Sequence, residues 1–374
     1  MRTLGRQSEM VEVKSYKIGP LDRDAIVRGY EEWRSGQSGK KNHYRVMEEY
    51  GGAEKLIDEI AREIESRTLV FRPIHRYKRI EPTNGKLRII GVESVKQQVV
   101  DHAICIALSP LIDAKTGFYQ VANVKDKGQR LCRGALRRWV HEGGYHVKID
   151  VRQCYPSCGH EVVMGILRRY VRGDDVLYVA QALLDTYGAG LEIGSYFALR
   201  MMQLVLSFAY HHVEGLGKVR RGRWVPLVSH QIWHMDDGLL MGGDKRNLRM
   251  AVRSLERYMK SEFGLSLKPW KIAKTGDAEP LDLGGWVMRE RRVSLREGVF
   301  LRARRAFRVF KRHPSPRHAR RCCAYWGWVR DGSCEGMRSR YGIDVLMAHA
   351  RRVISRQDRL ERLDFANDQN CCVA

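Results

Sequence analysis

The sequence predicts an α+β fold, because it contains pairs of strand-like runs centred on turns as well as long segments with apolar residues at helical spacing. Residues 77–92 hold two short strand-like runs on either side of Asn84-Gly85, the dipeptide best suited to a tight hairpin turn. Residues 224–243 hold two apolar runs around an Asp-Asp-Gly bend, which predicts a second hairpin. Helical spacing is clearest over 193–217 and 246–263.

Helices are also predicted on both sides of the first hairpin. Over residues 20–66, charged and apolar positions alternate at helical spacing, so that Leu56 and Ile60 share one face. This pattern ends near Pro73, since proline disfavours helix in the residue before it. Helical spacing resumes over 92–112.

The middle of the chain adds further strands, and the last part is strongly basic. Residues 146–156 (HVKIDVRQCYP) predict a buried strand closed by proline, and 160–187 predict helix. Strand-like runs return over 265–273 and 281–288. Residues 289–321 carry thirteen Lys and Arg against two acids, which indicates a separate helical module that binds nucleic acid.

Composition restricts the class of protein. The 374 residues include 67 Lys and Arg against 43 Asp and Glu, a net charge of +24 that favours a polyanionic partner. With 44% hydrophobic residues, the chain can bury a sizeable core and is not disordered. It has no apolar run long enough to cross a bilayer and no apolar segment of a signal peptide at its start. Nine cysteines without a CxxC pattern suit free thiols, so we expect a cytoplasmic protein that does not contact membranes.

Three acidic residues predict a metal site. Asp150 ends the strand-like run 146–156, and Asp236 and Asp237 lie at the bend of the second hairpin. Carboxylates are costly to bury without a partner, and ligand sets made only of oxygen favour Mg²⁺, with Mn²⁺ as an alternative. Two such ions about 4 Å apart could activate an attacking hydroxyl and stabilise a leaving pyrophosphate. An ordinary turn would also explain Asp236-Asp237-Gly238, but the flanking apolar runs, Asp150 and the net charge favour the metal site.

Six motifs together resemble reverse transcriptases. KIDVRQCYPS is similar to their first palm motif, GLEIGSYFAL to the glycine turn and helix that follow, and HMDDGLLMG to their Y-x-D-D hairpin. LSLKPWKIA resembles the lysine-containing strand, LDLGGWV the primer-grip turn, and NGKLRIIGV the fingertip hairpin. The motifs follow the family order over about 73–288, and 325–342 resembles the end of the small thumb of compact bacterial enzymes.

The resemblance implies a right-hand fingers–palm–thumb polymerase with an antiparallel palm sheet and a helical thumb, which synthesises DNA on an RNA template. It divides the chain into an N-terminal helical extension (1–72), fingers (73–145), a palm (146–288) that includes finger helices at about 160–187, and a basic thumb (289–374).

The resemblance also implies roles for single residues around the metals and the sugar. Asp150, Asp236 and Asp237 would hold two Mg²⁺ ions with help from the carbonyl of Val151. Tyr155 matches the aromatic residue that stacks under the deoxyribose and excludes a 2′-hydroxyl, which makes dNTPs the expected substrates.

Further roles concern the rest of the nucleotide. Lys86 and Arg88 would contact the incoming triphosphate, and Gly194 would let the backbone approach the nascent base pair. Lys271 stands where the family has a lysine near the pyrophosphate that can act as general acid, and Lys268 is its rival.

Several positions depart from the family pattern around the nucleotide and template. Glu192 replaces a proline, Ala198-Leu199 replace Ser-Gln or Ser-Pro, Gln203 replaces an asparagine of the dNTP site, and His234 replaces an aromatic residue. These departures resemble divergent bacterial reverse transcriptases of antiphage defence, whereas Ile193-Gly194-Ser195 resembles the enzymes of diversity-generating retroelements. A carboxylate at Glu192 beside the template could alter base selection.

The sequence therefore predicts an RNA-directed DNA polymerase of phage defence, with a retroelement enzyme as the alternative. A DNA polymerase that is template-independent or protein-guided, and a catalytically idle RNA-binding scaffold, remain further alternatives. The expected partners are a structured or non-coding RNA, the DNA product and dNTPs, together with an accessory protein or a second copy of the chain.

Overall fold

The computed structural model describes residues 15–36, 40–81 and 85–371. Asn84, at the predicted hairpin turn, lies outside these ranges. None of the helices described is both long and apolar enough to span a bilayer.

Helices form most of the architecture. They are α1 (Arg23–Ser35), α2 (Lys40–Tyr50), α3 (Ala53–Glu65), α4 (Val95–Lys115), α5 (Gly128–Trp139), α6 (His160–Tyr170), α7 (Asp174–Leu184), α8 (Tyr196–Glu214), α9 (Lys245–Phe263), α10 (Glu297–Arg312), α11 (Pro316–Asp331), α12 (Glu335–Tyr341) and α13 (Ile343–Cys371). A 3₁₀ turn over Val140–Glu142 follows α5.

The strands are short and form small sheets. They are β1 (Tyr16–Lys17), β2 (His75–Ile80), β3 (Leu87–Val92), β4 (Tyr145–Asp150), β5 (Val171–Arg172), β6 (Gly217–Arg220), β7 (Arg223–Pro226), β8 (His230–His234), β9 (Asp237–Gly242), β10 (Ile272–Lys274), β11 (Leu281–Leu283), β12 (Trp286–Met288) and β13 (Val293–Leu295). β4, β8, β9 and β10 form a four-stranded sheet in the order β10-β4-β9-β8, and β11 to β13 form a three-stranded one.

Side-chain caps fix where the long helices begin. The hydroxyls of Ser94 and Ser195 accept backbone N–H groups in the first turns of α4 and α8, and Asp244 does the same for α9. α9 ends at Gly264, whose φ of 66° is the left-handed conformation that favours glycine. These caps position α8 and α9, which pack on each other beside the four-stranded sheet.

The four-stranded sheet is buried on the side of these helices. β9 pairs antiparallel with both β4 and β8, and the inner strands bury apolar residues such as Val147, Ile149 and Leu240. α9 packs against β4 and β9, while α8 packs against α4 and α9. The polar end of the sheet is thereby held by a continuous apolar core.

The chain divides into two compact units, which are not continuous in sequence. One contains the described residues up to Gln129 together with Gly144–Ala273, and the other contains Arg130–Gly143 and the described residues from Lys274 onward. Within the second unit, Arg133 of α5 donates to the carbonyl of Asp331 at 2.9 Å. The observed division at 273 precedes the predicted start of the thumb at 289, and the predicted boundaries at 72 and 145 stay predictions.

Most predicted elements are present, with instructive exceptions. The helical pattern over 20–66 corresponds to α1, α2 and α3, and that over 160–187 to α6 and α7 with the short β5 between them. The run 224–243 holds parts of two hairpins instead of one, because β7 pairs with β6 and β8 pairs with β9. Of 265–273, only the last residues belong to a strand. No element was predicted from the sequence at α5 or β13.

Candidate active site

The register of β4 and β9 places two of the predicted acids opposite each other. Asp150 is the last residue of β4, Asp237 is the first of β9, and they are direct cross-strand partners. Side chains of such partners lie on the same face of the sheet with Cβ atoms about 5 Å apart. The pairing of the two strands therefore brings together acids that are far apart in sequence.

A two-residue turn adds the third acid. The pair His234 and Asp237 closes the β8–β9 hairpin, so Met235 and Asp236 form its turn. Met235 has a φ of 56°, a left-handed conformation that is strained for a residue other than glycine. The backbone N–H of Val151 donates to the carbonyl of Asp236 at 3.2 Å, which fixes the turn beside the end of β4.

The three acids affect one another electrostatically. Burial raises the pKa of Asp236 above its ordinary value, and the negative charges of Asp237 and Asp150 raise it further. The ammonium of Lys268 opposes these effects only in part. The site therefore has an excess of negative charge that would attract a cation.

Two lysines contact this acidic group. Lys268 Nζ lies 2.5 Å from Asp150 Oδ1, and the backbone N–H of Lys268 donates to the carbonyl of Asp150 at 2.8 Å. Lys148 Nζ lies 3.9 Å from Asp237 Oδ2. Lys271, the first candidate for a general acid, is exposed and directly precedes β10. Lys268, its rival, thus contacts an acid of the site directly.

The oxygen atoms of the three acids are the ligand type that a hard divalent cation prefers. Over the three described stretches of the chain, no group of three or more His, Cys, Asp or Glu side chains is arranged to hold a metal ion as it stands. Asp150, Asp236 and Asp237 nevertheless supply only oxygen ligands at one end of the sheet, which is the ligand type of Mg²⁺ and Mn²⁺. An ion bound there would take the place of the lysine contacts and neutralise the mutual repulsion of the carboxylates.

Tyr155 belongs to the segment between β4 and α6. It follows β4 in a turn segment and is half-buried against the apolar core. Burial raises its pKa, with smaller contributions from Cys154 and from the charge of Asp236, so the phenol lies within electrostatic range of that acid. Its carbonyl accepts the N–H of Leu191 at 2.9 Å, which anchors the segment.

The two predicted triphosphate contacts lie on the β2–β3 hairpin. Arg88 Nε donates to Glu81 Oε2 at 3.0 Å across the hairpin, and both side chains are partly exposed. An exposed ion pair of this kind contributes about 0–1 kcal/mol, so a polyphosphate could replace Glu81 at little cost. Lys86 directly precedes β3 in the same hairpin.

Glu192 and Gly194 link that hairpin to the start of α8. Two nitrogens of Arg76, Nε and Nη2, donate to Glu192 Oε2 at 2.9 and 2.6 Å, and the carboxylate is almost fully buried. Gly194 has a φ of 120°, and a Cβ there would lie 2.3 Å from the carbonyl oxygen of Gly91 in β3. The structure thus places Glu192 on an arginine and gives Gly194 a packing reason to be glycine.

Gln203 is buried in a polar network on α8. Its amide donates to Thr116 Oγ1 at 3.3 Å, and its side-chain oxygen accepts from Arg200 at 2.8 Å. If Gln203 contacts a dNTP as predicted, one of these two hydrogen bonds would have to break.

The second unit presents a strongly basic cavity of about 740 Å³. It is lined by Arg304, Arg308, Lys311, Arg312, Arg340 and Tyr341. Arg304, Arg308 and Arg312 recur every four residues and therefore share one face of α10. Three of the thirteen cationic residues of 289–321 therefore lie on one helix face.

Two residues that contact the predicted site residues were not predicted from the sequence. Lys148 precedes Asp150 by two residues on β4, and the two-residue period of a strand could have placed both on one face. Arg76 lies 116 residues from Glu192, and no local pattern signals that pairing.

Comparisons with known proteins give distant likenesses. No protein-family model matches the sequence, and no curated protein matches it. A truncated apo telomerase from Candida tropicalis is 12% identical over 60% of this chain, with a TM-score of 0.42. A Candida albicans telomerase, solved with a fragment of telomeric RNA, is 11% identical over 84%, with a TM-score of 0.44. The chain spans 54% and 58% of those two telomerase chains, and likeness at this level assigns it neither an activity nor a substrate.

Proposed function

We propose that this chain is an RNA-directed DNA polymerase that joins dNTPs by nucleotidyl transfer at two divalent cations. The observation that carries the proposal is the pairing of Asp150 with Asp237 at the end of β4 and β9, with Asp236 in the adjoining turn. Six motifs in the order of reverse transcriptases and a net charge of +24 support the same activity.

Each part of the site has a role in this mechanism. Asp150, Asp236 and Asp237, with the carbonyl of Val151, would hold Mg²⁺, which supplies activation of the primer hydroxyl and stabilisation of the leaving pyrophosphate. Tyr155 would bind under the sugar and leave no room for a 2′-hydroxyl, which selects dNTPs.

The remaining residues hold the triphosphate and move a proton. Arg88 exchanges its exposed contact with Glu81 for the triphosphate, aided by Lys86. Lys268 or Lys271 donates a proton to the departing pyrophosphate.

The second unit would hold the nucleic acid. The basic cavity on α10 carries five cationic side chains and one tyrosine, a combination that suits a phosphate backbone. We expect RNA retention to fall steeply between about 50 and 200 mM salt, because each phosphate contact releases counterions.

A role in phage defence is part of the proposal and rests on Glu192, Ala198-Leu199, Gln203 and His234, where the sequence departs from the usual pattern. In that setting the template would be a dedicated structured RNA, and an accessory protein or a second copy of the chain could complete the assembly.

The test is DNA synthesis by pure protein with labelled dNTPs and Mg²⁺, before and after nuclease removes the RNA that co-purifies with it. Product that requires the RNA is expected, and sequencing it identifies the template. Product that persists without RNA would instead indicate a template-independent or protein-guided polymerase, and a lack of product under all conditions would indicate an idle scaffold.

A matched pair of variants sharpens this test. Asp236→Asn should abolish synthesis. Asp174→Asn, in the other Asp-Asp doublet of the chain, is exposed at the start of α7 and should leave synthesis unchanged. Full synthesis by Asp236→Asn would refute the proposed mechanism.

A further inference from the structure

We propose that the β6–β7 hairpin is a further binding site for a single-stranded polynucleotide, formed by none of the residues of the polymerase site or of the basic cavity on α10. The proposal goes beyond the polymerase activity, because neither synthesis nor the predicted motifs involve this hairpin.

The hairpin is basic and lacks acids. Residues 215–235 contain no Asp or Glu, whereas Lys218, Arg220, Arg221 and Arg223 lie within this stretch. Among the described residues, no carboxylate is in ion-pair contact with the three arginines, and all three are exposed. Three exposed arginines without a carboxylate in ion-pair contact, together with Lys218 beside them, favour a polyanionic ligand.

An aromatic side chain accompanies the cations. Trp224 is 53% exposed and pairs across the hairpin with Val219, which is 65% exposed. The indole rests on the backbone of Gly217, where a Cβ would lie 2.2 Å from Trp224 Cζ2. Its orientation is thereby fixed while much of the ring stays accessible. A held, exposed indole beside arginines is the combination that stacks on an unpaired base.

The turn keeps a cation at the tip at a conformational cost. Arg221 and Gly222 have φ values of 50° and 73°, so both central residues of the turn are left-handed. Turns of this type favour Asn-Gly, and an arginine in the first position is less favourable than asparagine or glycine. A locally unfavourable choice that places an exposed guanidinium at the tip is a mark of function.

The hairpin lies at the end of the sheet remote from the three acids. Lys218 Nζ donates to Asn247 Oδ1 at 2.8 Å in the first turn of α9, close after the end of β9 at Gly242. Asp237 begins β9, and a strand of this length rises about 17 Å. A polynucleotide at the hairpin would thus be held well away from the catalytic end, as RNA outside the copied segment would be.

The faces of the hairpin suggest how a strand would bind. Val219 and Trp224 share one face, while Arg220 and Arg223 share the other and Arg221 occupies the tip. A strand that crosses the tip can stack one base on Trp224 and place neighbouring phosphates near the arginines. The chemistry suits RNA and single-stranded DNA alike.

The experiment measures binding without dNTPs, using labelled 20-nucleotide RNA and DNA of one sequence at several salt concentrations. The triple variant Arg220→Gln/Arg221→Gln/Arg223→Gln should lower the dependence of log affinity on log salt by about 2, since each phosphate contact on a single strand contributes about 0.7. Trp224→Ala should weaken binding about 10-fold, and Trp224→Phe should restore most of it.

A control variant removes the same charge elsewhere. Arg28, Arg34 and Arg62 are exposed on α1 and α3, and their replacement by glutamine should leave the salt dependence close to that of the wild type. The proposal is overturned if the two triple variants behave alike, which would also be the result if the hairpin bound a protein. Wild-type affinity of Trp224→Ala would overturn the stacking on a base.

The affinities for RNA and for single-stranded DNA are compared, and the strand that binds more tightly is taken as the natural ligand. If the protein makes no DNA but its binding still depends on the hairpin, only the proposed function is refuted. If the protein makes DNA but its binding does not depend on the hairpin, only the inference about the hairpin is refuted.

Discussion

Removal of Arg76 should loosen the contact between the β2–β3 hairpin and the segment before α8. Arg76 supplies the two nitrogens that bind Glu192 Oε2, and the neighbouring Gly91 N–H donates to the carbonyl of Ile193 at 2.8 Å. In Arg76→Ala the buried carboxylate of Glu192 would lose this partner. The hairpin should therefore open locally more often.

The size of the effect follows from burial. Breaking a fully buried ion pair by removing one partner costs about 3–5 kcal/mol. The Glu192 side chain is 8% exposed but that of Arg76 is 40% exposed, so solvent screens part of the interaction. We expect about 2 kcal/mol, which corresponds to about 30-fold faster hydrogen exchange at the Gly91 amide.

Amide hydrogen exchange resolved by residue is the assay, because it reports local opening without requiring two-state unfolding of the whole chain. Arg76→Ala combined with Glu192→Gln should recover more than half of the protection, since no buried charge is then left unpaired. Arg79→Ala, on the same hairpin, should change exchange less than about 2-fold. Unchanged exchange of Gly91 in Arg76→Ala would refute the reasoning.

Three further predictions concern the site. Folding raises the pKa of Asp236, so the folded state should become less stable as pH rises above about 4. Asp236→Asn should therefore melt at a higher temperature than the wild type in EDTA at pH 7, and a lower melting temperature would contradict this. Gly194→Ala should destabilise the fold by about 2–4 kcal/mol in chemical denaturation, whereas Gly188→Ala, which meets nothing within 4 Å, should cost less than about 1 kcal/mol; equal effects would contradict the packing argument. Lys268→Ala frees Asp150 and should therefore lower the Mg²⁺ concentration that gives half-maximal thermal stabilisation. An unchanged or higher Mg²⁺ concentration at that midpoint would show that the lysine does not compete with the ion.

The strands of the site could be predicted from the sequence, but their register could not. Apolar runs predicted β4, β8 and β9, and the acids at their ends were visible as a pattern. The alignment of Asp150 with Asp237 is the register of β4 with β9, two strands far apart in sequence that no local pattern aligns. The turn that adds Asp236 begins at Met235, and methionine is not a residue that signals a left-handed turn.

Long-range polar contacts were equally hidden. The partner of Glu192 is fixed by tertiary packing, and nothing near residue 192 in the sequence indicates Arg76. Charge on α10 was predicted as a bias over 289–321, and the four-residue spacing of its arginines could also have predicted the shared face. By contrast, α5 could have been predicted, because Cys132, Ala135, Leu136 and Trp139 are apolar residues at helical spacing. The basic residues between them made this pattern less evident.

The discontinuous make-up of the second unit has a consequence for synthesis of the chain. Cys132, Leu136 and Trp139 are fully buried in the finished protein, but the rest of their unit begins at Lys274, about 135 residues later. At about 5–20 residues per second, a ribosome needs about 7–27 s to produce that segment. During this interval α5 lacks the rest of its unit, and a fragment that stops at Ala273 would lack it permanently. Cutting the polypeptide at one place thus cannot yield both units whole.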